Sequence, residues 1–226
     1  MNVIVTGCSR GIGLELVKIL SFNHKVYAIS RDISFMDNIS DKANPNNIIP
    51  LSFDLLKIKK EEFDKVISSK RIDVLINNAG CLINKEFMNL SELDYRQMMD
   101  VNFYAPLKMI QFSLDKLSKA NGQVLNIGSI GGVQGSSKFP GLSIYSSSKG
   151  ALSILTECLA VELSDVNIKI NCLALGAVQT EMLNQAFPGY KAEISANQMA
   201  QYVVNFIHNG SSLSNGLIIP VKKSNP

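Results

Sequence analysis

Tyr145 and Lys149 stand four positions apart in the stretch YSSSK, with serines alone between them. On a helix that spacing puts both side chains on one face, with β-carbons about 5–6 Å apart. A free phenol titrates near 10 and exchanges protons poorly at neutral pH. An ammonium ~4 Å away, at an effective dielectric of about 20, would favour the phenolate by roughly 4 kcal/mol, an upper bound of about three pKa units. The pair reads as a proton-transfer couple or, taken alone, as an amphipathic tyrosine beside a solvated lysine. The rest of the chain has to decide.

A second cluster, TGCSRGIG at residues 6–13, follows a strand-like run and opens a helical pattern. Gly7, Gly11 and Gly13 let a backbone turn sharply and approach a phosphate, while the free N–H groups of a helix start favour negative charge. Glycines also build ordinary tight turns, but the place between the first strand and the first helix is that of a dinucleotide turn.

These clusters need a scaffold, and the hydrophobic pattern describes one. Residues 2–6, 25–30, 48–53, 72–76, 123–128, 168–174 and 216–221 are short, nearly continuous apolar runs, as expected of parallel strands covered on both faces. Residues 12–20, 58–69, 91–118, 145–164 and 196–208 read as helices between them, and 38–47 as a loop. The alternation predicts an α/β fold: a doubly wound, Rossmann-type parallel sheet of about seven strands in three layers, with ligands beyond the strands' carboxyl ends. With 226 residues and no linker or repeat, residues 1–226 are expected to form a single domain carrying its own catalytic site.

Further matches follow in order, and together they resemble the short-chain dehydrogenase/reductase family in its single-domain branch. They are the glycine turn spaced G-x-x-x-G-x-G, Asp54 ending the third strand, NNAG at 77–80, Asn102 in DVNF, Ser129 in NIGS, Tyr145 and Lys149 as Y-x-x-x-K, and LGAVQT at 175–180. The resemblance covers residues 2 to about 221. It implies Tyr145 as the proton-transferring group, Lys149 lowering its pKa and binding the nicotinamide ribose, Ser129 holding the substrate oxygen, and Asn102 holding a water that relays protons. It places cofactor contacts on Gly7, Ser9, Arg10, Gly11, Ile12, Gly13, Arg31, Asp54, Leu55, Asn78, Ala79, Gly80, Tyr145, Lys149, Gly176, Val178 and Thr180. Asp54 reads equally as a helix N-cap, and Ser129 as the start of a turn.

The second strand ends in Ser30-Arg31, with no acid at the position that would grip a ribose hydroxyl, and Arg10 lies in the glycine turn. A guanidinium binds a phosphate through paired, charge-assisted hydrogen bonds, so NADP(H) is expected over NAD(H), which stays possible through Asp32. Three departures from the family pattern stand out. The run from Ser129 to Tyr145 is long; Leu175 replaces a proline, which predicts a looser nicotinamide turn; and the stretch 181–195 is short, which predicts an open, shallow pocket. The tail IIPVKKSNP lacks a glycine pair common in the family.

Composition narrows the partners. A net charge of +3, with acids nearly balancing the bases, gives no electrostatic case for nucleic acid. No apolar run nears the ~18 residues that would span a membrane. Cys8, Cys81, Cys158 and Cys172 form no metal-ligand spacing and read as small buried hydrophobes in a reducing, cytoplasmic setting, where the Asn38, Asn89 and Asn209 acceptor-like triplets are chance matches. No metal is expected. The expected activity is NADPH-dependent reduction of a ketone or 3-oxoacyl group, small or carrier-bound, with a resemblance to 3-oxoacyl-carrier-protein reductases. An alcohol or sugar dehydrogenase and a dinucleotide-binding sensor are the alternatives, and helices 99–118 and 145–164 are the expected faces of a homodimer or homotetramer.

Overall fold

A computed structural model describes residues 1–39 and 43–223. The loop expected at 38–47 and the tail therefore fall partly outside the described residues. Within that loop, 45–47 form a short 3-10 turn capped by Asn44.

The strands are β1 (Asn2–Thr6), β2 (Lys25–Ser30), β3 (Ile48–Ser52), β4 (Val74–Asn77), β5 (Gln123–Ser129), β6 (Lys169–Leu175), β7 (Val178–Gln179), β8 (Ile194–Ser195) and β9 (Ile218–Val221). The helices are α1 (Gly11–Ser21), α2 (Lys60–Val66), α3 (Glu92–Met99), α4 (Ala105–Ser118), α5 (Ser143–Glu162), α6 (Glu181–Ala186) and α7 (Ala196–Asn205). Seven strands form one parallel sheet in the order β3-β2-β1-β4-β5-β6-β9, and β7 and β8 pair separately. The order reverses at β1, so the crevice for a ligand opens between the ends of β1 and β4.

Alternate residues of each strand feed two cores, as the period of two requires. Val3 and Val5 pack with Leu16 and Leu20 of α1 and with Met199 and Val203 of α7. Ile4, Tyr27 and Leu75 face the other way, onto Phe63 of α2, Met109 and Ile110 of α4, and Ala160 of α5. Leu152 of α5 is fully buried, whereas Ile154 and Val161 are 60% and 75% exposed, so this helix has one sheet-facing stripe and one outward apolar edge. Of the cysteines, Cys8 and Cys172 are buried as expected; Cys81 is half-buried and Cys158 exposed, and all are free.

Two helices differ from the sequence expectation for identifiable reasons. α2 stops at Val66, because Ser68 and Ser69 turn back to the phenol of Tyr27; the Tyr27 and Ser69 hydroxyl oxygens lie 2.7 Å apart. A buried phenol needs such a partner. The helix expected over 91–118 is interrupted by a π turn at 100–104 that holds Asn102. One extra residue in a turn leaves the apolar pattern readable as continuous helix, while re-aiming the side chain inside it.

Gly13 sets how closely α1 rests on the turn before it. A β-carbon there would collide with the Gly7 carbonyl oxygen and lie 2.5 Å from the Asn78 side-chain nitrogen. Gly13→Ala is therefore expected to lower stability by roughly 1–3 kcal/mol, the usual cost of overpacking. An unchanged urea midpoint would show that this contact is not tight.

Candidate active site and dinucleotide cleft

The turn after β1 is fixed by a clamp from β4. Thr6 Oγ1 accepts from the backbone N–H groups of Asn78 and Ala79, each at 3.1 Å, and the Asn78 amide donates to the carbonyls of Thr6 and Gly7. Gly7 and Gly11 take positive φ values of 73° and 56°, which side-chain-bearing residues rarely adopt. A β-carbon on Gly7 would sit 2.8 Å from Ala79 Cα. The result is a bare, rigid backbone cradle at the N-terminus of α1, which fits the phosphates of a dinucleotide.

From this cradle a cleft of about 890 Å³ crosses the carboxyl ends of the strands. Every residue named above for the site lines it except Gly13 and Asn102, which lie buried behind it. At the β2 end it is bordered by Arg10, Arg31 and Asp32. Asp32 does not tie up Arg31: its carboxylate accepts from Ser34 N–H at 2.9 Å, and that bond holds its pKa below the usual carboxylate value. Asp54 is not a helix cap, since α2 begins six residues later, behind Lys59; its carboxylate instead turns the chain by accepting from Leu56 N–H at 2.9 Å.

The candidate catalytic groups meet at the end of β5. Ser129 accepts from Gly131 N–H at 3.2 Å, so it does start a turn, and its hydroxyl faces the Tyr145 phenol closely enough to lower its pKa. Ser136 is turned away onto the carbonyls of Ile130 and Val133. Lys149 lies on the same face of α5 as Tyr145, but its ammonium donates to the Ile127 carbonyl at 2.8 Å. This corrects the expected electrostatics. Burial pushes the phenol above its ordinary range, opposed by the Ser129 hydroxyl, and Lys149 does not enter as a lowering charge. Burial in turn brings Lys149 down to about 8.

Asn102 sits behind this cluster. Its side chain is fully buried: Oδ1 accepts from Cys81 N–H, while Nδ2 donates to the Cys81 carbonyl at 2.8 Å and to Ser148 Oγ at 2.9 Å. Both amide hydrogens are committed, so the side chain is a brace that ties the π turn to the Gly80-Cys81 strand exit and to α5. The serines of YSSSK divide accordingly. Ser148 takes the Asn102 bond, Ser147 is exposed, and Ser146 leaves just enough space for Gly131. Small size there lets the 130–132 turn press on α5: a β-carbon on Gly132 would meet Gly150 N at 2.7 Å.

On the far side the stretch 181–195 is short but folded. Thr180 caps α6, accepting from Leu183 N–H, and β7 and β8 close the segment. Asn84 donates to the Ala186 carbonyl at 2.8 Å, so α6 is held against the loop after β4. Phe139, Leu142, Met182, Leu183, Phe187 and Tyr190 form an apolar wall that the motif reading missed. The pairing of a capping threonine with Glu181 in the first turn was the available signal for α6; the aromatic positions sit in loops and gave none. Leu175 does not loosen the neighbouring turn: it is the last residue of β6, paired with Ser129 on one side and Val221 on the other.

A lysine whose folded pKa of about 8 lies below its ordinary 10.5 holds fewer protons than the unfolded chain between those values. Its contribution to stability must then rise as pH climbs through that window, and the cost of the buried charge is fully felt below it. The difference in melting temperature between the wild type and Lys149→Met should move in favour of the wild type from pH 8 to pH 10. A pH-independent difference would refute the buried-charge account.

The chain matches the short chain dehydrogenase family over residues 1–191. It is 30% identical over 191 residues to a 3-oxoacyl-acyl-carrier-protein reductase of Chlamydia muridarum, covering 79% of this chain and 74% of that protein. It is 32% identical over 194 residues to human 17-beta-hydroxysteroid dehydrogenase type 1, covering 81% of this chain and 58% of the human enzyme. The solved structure of ElxO with NADP bound superposes with a TM-score of 0.82 at 26% identity, covering 97% of this chain and 96% of that one. With the phosphate cradle, the Ser129–Tyr145–Lys149 cluster and this span of sequence in agreement, the chain belongs to the short-chain dehydrogenase/reductase family of nicotinamide-dinucleotide-dependent oxidoreductases acting on CH–OH and C=O groups.

Proposed function

We propose that this protein uses NADPH to reduce a ketone or 3-oxoacyl carbonyl to the alcohol, with one domain supplying both the dinucleotide cleft and the catalytic groups. The observation that carries the reading is the gathering of Ser129, Tyr145 and Lys149 at the end of β5, lining the same cleft as the glycine cradle. The bound dinucleotide supplies the hydride. Gly7, Gly11 and the start of α1 hold its phosphates, with Asn78, Ala79, Gly80, Gly176, Val178 and Thr180 bordering the rest of its path. As charge develops on the carbonyl oxygen, Ser129 donates a hydrogen bond and Tyr145 transfers its proton. A phenol kept neutral near neutral pH is in the form that donates this proton. Lys149, with a pKa near 8, can return a proton to the site close to neutral pH.

The preference for NADPH rests on Arg10 and Arg31, both exposed at the β2 end of the cleft, where a 2′-phosphate would lie. The apolar wall fits a bulky or acyl carbonyl better than a sugar, in keeping with what the names of the two curated relatives describe. We read the protein as cytoplasmic and homo-oligomeric, dimer or tetramer, supported by its free thiols and by the exposed Ile154 and Val161 on α5.

Two measurements test this. Turnover of a ketone and 3-oxoacyl panel with NADPH should fall by at least about 100-fold in Tyr145→Phe, the usual scale of general acid catalysis, with cofactor affinity retained. Cofactor binding without turnover on any carbonyl would support a sensor instead. Arg31→Ala should raise the KM for NADPH about tenfold or more while leaving that for NADH within about twofold, given the ~1.5–3 kcal/mol of a charge-assisted contact. Equal effects on both would reject the NADPH assignment.

A further inference from the structure

The chain contains two histidines, His24 and His208, 184 positions apart, and the fold brings them together. His24 follows α1, its backbone N–H bonded to the Leu20 carbonyl at 3.0 Å. His208 lies in the π turn at 206–210 that ends α7. α1 and α7 pack side by side on one face of the sheet and run in the same direction. The Asn197 amide donates to Glu15 at 2.7 Å near their starts, and the histidines meet past their ends. Both helices run back from the catalytic edge, so the meeting point lies at the strands' amino-terminal edge, just before β2.

The two Nε2 atoms are 3.0 Å apart, with ring centroids separated by 5.1 Å and planes inclined at 49°. One neutral ring can donate to the other at this distance. The same arrangement also lies a few tenths of an ångström from the ~3.3–3.4 Å that two nitrogens adopt when they share a tetrahedral ion at about 2.0–2.1 Å each. Both rings are reachable from solvent, His208 exposed and His24 partly so.

We propose that His24 and His208 form a two-imidazole site for a zinc-type divalent transition-metal ion, clamping α7 to the end of α1 at the edge of the sheet remote from Tyr145. Imidazole nitrogens select zinc, nickel and copper over magnesium and calcium. In the metal-free protein the Met1 ammonium, 3.4 Å from His24 Nδ1, donates to that nitrogen, a contact that an ion bound at Nε2 displaces. Asp73 is already engaged by Asn2 N–H and Arg71. Among the described residues no third histidine, cysteine or acidic side chain completes a cluster. Water fills the remaining positions, and the ion exchanges freely.

The test uses the full chain without a histidine tag, stripped with a chelator and dialysed. At pH 7.5, zinc at tenfold over its dissociation constant should raise the melting temperature by about 2–6 °C. Magnesium should not, and the zinc shift should vanish in His24→Gln and in His208→Gln. Calorimetric titration should find one zinc per chain in the wild type and none in the double variant. His208→Asp, which keeps a ligand, should retain part of the shift and guards against a glutamine variant too unstable to compare. No zinc shift in the wild type, or a shift or stoichiometry that survives in the double variant, overturns the proposal.

Discussion

The geometry of the candidate site depends on one buried charge. Lys149 is 4% exposed and its ammonium donates to the Ile127 carbonyl, so it anchors α5 to β5 at the point where both reach the cleft. An ammonium inside a protein is costly unless bonded, and the cost appears as a pKa lowered to about 8. The same seating of α5 fixes Tyr145 against Ser129. The candidate catalytic pair is thus positioned by the helix, and the helix by the lysine and by the close approach of Gly132 to Gly150.

Around that anchor, side-chain amides bind separate backbone segments into one frame. Asn78 holds the glycine turn, and Asn102 joins the π turn to Cys81 and Ser148. Asn126 links Asn77 of β4 to Thr156 of α5 through bonds of 2.9 Å. Each amide offers donors and an acceptor in one plane, and in a dry interior such bonds are strong because water cannot replace them. The frame leaves the site's openings to softer parts: the Ser129–Tyr145 loop and the α6 segment, where the apolar wall is assembled.

Much of the fold was legible because both-face burial of parallel strands writes continuous apolar runs. The errors fall where that signal is silent. β7 and β8 are two-residue strands, too short for a period, and the π turn at 100–104 leaves the helical pattern almost undisturbed. Asp54 sits before a helix in the sequence but turns the chain locally, because five residues separate it from α2. The Leu175 departure looked like a loss of rigidity, yet the position is gripped by β5 and β9, partners distant along the chain.

By itself, the sequence determined the order of elements, the glycine turn, and the sharing of a helix face by Tyr145 and Lys149, since these follow from local spacing. The tertiary structure alone decided what the groups do to one another. It gave Lys149 a carbonyl rather than the phenol, raised Tyr145 instead of lowering it, spent the Asn102 amide on a brace, and brought His24 to His208. The reason is physical: desolvation and hydrogen-bond partnership depend on which distant segments pack against a residue, and no spacing along the chain encodes the dielectric around it.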